Sequence, residues 1–60
     1  MPGPFPRPVV VVRDGRRLRG TLVWAYRTAD GWRGIVHYRD PETLLSYYCA
    51  HDEAELLPAE

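Results

Sequence analysis

Sixty residues, 45% of them hydrophobic, confine this chain to one small domain, and a single cysteine, Cys49, rules out an internal disulfide. A domain of this size buries only ~60% of the surface that its unfolded chain exposes, so it must rely on apolar side chains, helped by any self-association. A net charge of zero argues against strong indiscriminate attraction to nucleic acid or to an anionic membrane.

The chain begins with alternating prolines at Pro2, Pro4, Pro6 and Pro8, which predict a polyproline-like, flexible arm over residues 1–8. The arm lacks the continuous apolar core of a signal peptide, and the run Val9 to Val12 is too short to span a bilayer; both point to a cytoplasmic protein without a membrane partner. Val9-Val10-Val11-Val12 is β-branched throughout and predicts the first strand of a domain over residues 9–58, with 59–60 as a tail. Asp14-Gly15 is a turn signal.

Strand two is predicted over Leu18 to Arg27, with Leu18, Gly20, Leu22, Trp24 and Tyr26 on one uncharged face. Strand three, Trp32 to Arg39, repeats the pattern with Trp32, Gly34, Val36 and Tyr38. The two inner faces coincide only if the loop has an odd number of residues, which the three-residue loop Ala29-Asp30-Gly31 satisfies. That register pairs Thr28 with Trp32, Tyr26 with Gly34, Trp24 with Val36 and Leu22 with Tyr38. It places Trp24 and Tyr38 in the core and leaves Val23, Ala25 and Ile35 as an outer strip beside Arg27, Arg33 and Arg39, with His37 in its middle.

Asp40-Pro41-Glu42-Thr43 predicts a turn, and Leu44 to Cys49 a fourth strand with Leu45, Tyr47 and Cys49 inward and Tyr48 outward. A helical turn is expected over Ala50 to Ala54, then a short strand, Glu55-Leu56-Leu57, ended by Pro58. The expected fold is all-β: a small five-stranded barrel with one helical turn before its last strand, closed so that no sheet edge is left open.

In the order strand, turn, long strand, hairpin, strand, helical turn and terminal strand, residues 8 to 58 resemble the Src-homology-3-like barrels in their Tudor and KOW-type variety. The hairpin from Asp30-Gly31-Trp32 through Val36 and Tyr38 also resembles that of small bacterial barrel proteins carrying "DGW…V.Y". The second resemblance implies a fold and no activity. In the barrels of the first, the aromatic that opens the third strand lines the ligand groove, which implies that role for Trp32. The short, basic segment Asp14-Gly15-Arg16-Arg17 stands where signalling domains of the class carry an acidic, tyrosine-rich loop, which speaks against proline-peptide recognition.

The chemistry-bearing residues are few. His37, Cys49 and His51 are the soft metal ligands, and Cys49-Ala50-His51 is one short pair where a structural zinc site wants four ligands. A Cys49–His51 nucleophile and base would need an orienting group and an oxyanion site that a filled small barrel has little room to build. The expectation is a non-enzymatic module with no catalytic residues, metal, cofactor or small-molecule substrate.

Charge is divided along the chain. All eight basic residues are arginines between Arg7 and Arg39, a stretch with only Asp14 and Asp30 as acids; six acids and no base follow from Asp40 onward. The halves either pair in space or leave a basic face on the first. The favoured reading is protein binding, including self-association, with Trp32, Tyr48 and Ile35 as apolar anchors and Arg27, Arg33 and Arg39 positioning acidic groups. The alternative is nucleic-acid binding, with Arg13, Arg16, Arg17 and Arg19 on phosphates and exposed aromatics stacking on bases.

Overall fold

The computed structural model describes residues 4–39 and 42–59. Five strands follow one another as β1 (Arg7–Arg13), β2 (Arg16–Thr28), β3 (Gly31–Arg39), β4 (Ser46–Asp52) and β5 (Leu56–Pro58), with a 3-10 turn at Glu53–Glu55 before the last. They form one antiparallel sheet in the order β4-β3-β2-β1-β5. The all-β class, the strand count and the helical turn match the sequence reading. Closure does not: β4 and β5 lie at opposite ends of the order and share no ladder, so the sheet is open.

The β1–β2 hairpin follows local chemistry. Asp14 and Gly15 take φ of 52° and 75°, the left-handed pair that a two-residue hairpin turn requires, and Arg13 faces Arg16 across it. Pairing then runs without interruption to Arg7↔Leu22. β1 starts at Arg7 rather than Val9, and Phe5 before it packs on Trp24, with ring centroids 5.8 Å apart. Met1 to Gly3 lie outside the described residues.

The β2–β3 hairpin corrects the expected register. Its loop has two residues, Ala29 and Asp30, closed by Thr28, whose hydroxyl donates to the Gly31 carbonyl at 2.9 Å and accepts from the Asp30 amide at 3.2 Å. An even loop alone would set the core face of β2 against the outer face of β3. A bulge at Val23 supplies the missing odd residue: Trp24 pairs with Ile35 on one side of it and Leu22 with Val36 on the other. Between bulge and loop the faces of β2 are therefore exchanged. Ala25 is buried, whereas Trp24 and Tyr26, expected inside, are 60% and 37% exposed.

The core is Val9, Val11, Leu22, Val36 and Tyr38, with Phe5, Cys49 and Leu56 packed against it. Gly20 lets β2 approach β3 closely, because a methyl group there would overlap Val36 and press on the His37 carbonyl. On β4 the phase is as expected, with Cys49 inward opposite Val36 and Tyr48 outward opposite His37. The bounds are not. β4 starts at Ser46, leaving Leu45 exposed before it, and runs through His51, which is a buried strand residue rather than part of a helical turn. The 3-10 turn is shorter than expected, and β5 takes in Pro58, which pairs with Val9. An edge strand tolerates that proline because the missing N–H can lie on the unpaired side. Of the turn expected at Asp40 to Thr43, Glu42 and Thr43 form a turn, and Asp40 and Pro41 lie outside the described residues.

Candidate functional site

The bulge at Val23 creates the most distinctive surface of the molecule. On the outer face, Trp24 of β2, Ile35 of β3 and Ala50 of β4 stand in one cross-strand row, with Tyr26, Arg33 and Asp52 in the next. Tyr48 and His37 form a third row, their rings tilted at 48° with centroids 4.9 Å apart. Tyr48 is 65% exposed, the half-buried Ile35 lies between the rows, and Phe5 supports Trp24 from the side. Arg33 donates to Asp52 at 2.8 Å, a cross-strand ion pair between the basic and acidic halves of the chain. Exposed apolar area gathered this way across three strands, with a charged rim, is the composition of a protein-binding patch.

The predicted binding residues divide between two faces. Ile35, Tyr48, Arg33 and Arg39 fall on the outer face, as the alternation of β3 and β4 requires. Trp32 and Arg27 face one another across the hairpin in the phase of Ala25 and Gly34, so they lie on the opposite face. There Trp32 is half-buried in a depression at the loop end, beside Thr28, Glu53 and Ala54. Trp24 and Tyr26 are the outer-face aromatics that the sequence pattern placed inside. The available signal was parity: an even loop with one bulge satisfies the inner-face pattern as well as an odd loop does.

Beneath the sheet lies a buried polar chain. The Tyr38 hydroxyl and His51 Nε2 are 2.7 Å apart, and His51 Nδ1 is 3.6 Å from a carboxylate oxygen of Glu55, which also accepts the Asp52 amide at 3.3 Å. Burial pushes the Tyr38 phenol up to about 12, helped by the neighbouring Cys49, Tyr47 and Glu55 and opposed by Arg13. The phenol thus keeps its proton and can donate it to Nε2, while Nδ1 faces Glu55. At 3.6 Å that contact is electrostatic rather than a hydrogen bond. The chain ties β3, β4 and the 3-10 turn together. His51 is 4% exposed and engages Tyr38, not Cys49, while His37 stands on the other face of the sheet. Among the described residues no three His, Cys, Asp or Glu side chains gather into a group able to hold a metal ion.

The arginines of the first hairpin occupy its far end. Arg13 and Arg16 face each other beside the turn, and Arg17 and Arg19 stand opposite Val12 and Val10. The ladder between β2 and β3 stops at Thr21↔His37, so the segment from Arg16 to Arg19 pairs with β1 alone. Its uncovered side borders a cleft of about 710 Å³ that Arg39 and Tyr47 also line. No helix among the described residues is long and apolar enough to cross a membrane. Comparison with protein-family models, with curated proteins and with solved structures found no match to this chain.

Proposed function

We propose that the chain is a non-enzymatic binding module that engages a partner protein through the outer face of β2, β3 and β4. The observation that carries this reading is the outward display of Trp24 and Tyr48, at 60% and 65% exposure, on either side of Ile35. A tryptophan costs free energy when left in water, and aromatic side chains dominate the binding energy of protein interfaces. The row is also pre-organised: Phe5 braces Trp24 and His37 braces Tyr48, so little side-chain freedom remains to be lost on binding. The complementary partner surface is an apolar segment flanked by acidic groups, which Arg39 and Arg33 would meet at the rim. A second copy of the chain is one such partner. The strand order and the 3-10 turn before β5 support placing the sheet among Src-homology-3-like small barrels, and we place the protein in the cytoplasm.

The test is site-specific photo-crosslinking in the cells that make the protein. A photoreactive side chain at Trp24 or Tyr48 is expected to give one discrete protein adduct, a dimer included, that the same group at Glu53 does not give. Identical adducts from all three positions, or none, would remove the outer face as a binding surface.

A further inference from the structure

From the cleft at the far end of β2 we infer a second site, which shares Arg39 with the rim of the outer face but none of its aromatic row, that binds single-stranded nucleic acid. Arg16, Arg17 and Arg19 enter the cleft from β2 and Arg39 from the end of β3, and all four are exposed. Among the described residues none of the four is ion-paired to a carboxylate, whereas Arg33, at the other end of the sheet, is held by Asp52 at 2.8 Å. Four like charges gathered around a single lining acid repel one another, and a polyanion turns that cost into attraction. Glu42 is the one acid among the lining residues, so the site keeps a local positive excess that the neutral total charge conceals.

A flat aromatic ring selects a nucleic acid over other polyanions. Tyr47 lines the cleft 47% exposed, with its ring stacked on Tyr38 at a centroid distance of 5.3 Å and an interplanar angle of 28°. Tyr38 is in turn fixed by its 2.7 Å contact with His51. Tyr47 is therefore a braced platform: one face rests on the core, and the ring is open to a base stacking from the cleft. Phosphates running past the guanidinium groups with a base on the tyrosine is the usual division of labour in single-strand binding. Among the described residues no strand pairs with the other side of residues 16–19, so an extended strand can lie along it without displacing the β2–β3 ladder.

The probe is a fluorescein-labelled oligothymidine of about ten nucleotides, titrated with the full chain from about 50 to about 200 mM salt and followed by anisotropy. Saturable binding is expected, with log affinity falling against log salt at a slope of about −3, as four phosphate contacts on a single strand require. Arg16→Gln with Arg19→Gln should weaken binding at least tenfold and make the slope shallower by about one to two. Tyr47→Leu should weaken it roughly five- to a hundredfold with the slope unchanged. Trp24→Ala should leave it alone, which separates this site from the outer face. The arginine pair is exposed, so dispersed amide spectra of that variant keep the result interpretable even if Tyr47→Leu unfolds. Absence of binding at the lowest salt would overturn the inference. So would equal loss from Trp24→Ala, or equally tight binding of a glutamate or phosphoserine peptide of matched charge.

Discussion

The two halves of β2 are built from the same alternation and do opposite things with it. Between Arg16 and Leu22 the strand turns its apolar side to the core as it nears the bulge: Leu18 is still exposed, Gly20 brings the strand against Val36 and Tyr38, and Leu22 is fully buried. From Trp24 to Thr28 the phase is reversed: the small Ala25 goes in, and the large Trp24 and Tyr26 go out. The first half makes core on one side and arginine surface on the other; the second makes an aromatic surface and contributes almost nothing to the core. Alternation thus shows that a strand has two distinct faces, and only the register decides which of them meets the protein interior.

The strongest way to break this contrast is to insert a second residue beside Val23. With the two-residue loop kept, the extra residue would set Leu22 against His37 on the outer face of β3, or else force the loop to open. Either route should cost more than about 3 kcal/mol, enough to unfold a domain of this size. Urea denaturation followed by tryptophan fluorescence measures it, and a cooperative transition at the wild-type midpoint would mean that the bulge does not set the faces.

A smaller effect tests the half that packs. Tyr38, which lies against Gly20, has its phenol raised from 10.0 to about 12 in the folded chain. A raised folded value means that the contribution is fully present below pH 10 and is lost as pH climbs toward 12. Stability should therefore fall by roughly 2 kcal/mol across that window, beyond the change seen in Tyr38→Phe, which cannot ionise there. Parallel pH profiles for the two proteins would deny the phenol its buried, protonated state.

The smallest effect belongs to the surface half. Arg33 sits across from Tyr26 and pairs with Asp52, yet both side chains are well exposed, at 36% and 66%. Arg33→Ala should cost under about 1 kcal/mol, and less in high salt. A larger loss would make this end of the sheet structurally important and not simply a platform for a partner.

How much of this was legible in the sequence follows from what each element depends on. The β1–β2 hairpin was readable because Asp14-Gly15 and four consecutive valines act locally. The inward phase of β3 was readable too, since Val36 and Tyr38 alternate with His37 and Arg39 without a break. The bulge was not, because Val23 is as ordinary a strand residue as its neighbours and its extra count appears only when two strands are paired. That single uncertainty sent Trp24 and Tyr26 to the wrong side and grouped Arg27 with Arg33. His51 was hidden for a different reason: its burial depends on Tyr38 and Glu55, thirteen residues before it and four after, meeting it in space.

The two end strands of the open sheet are margins of unequal kind. β5 offers three residues, one of them a proline with no N–H to give, so that margin resists further strand pairing. β4 offers seven, and from Ser46 to His51 none is an acid, a lysine or an arginine that would repel a neighbour. Two copies that met across β4 would cover each other's receptive margin, so assembly by that pairing would stop at two.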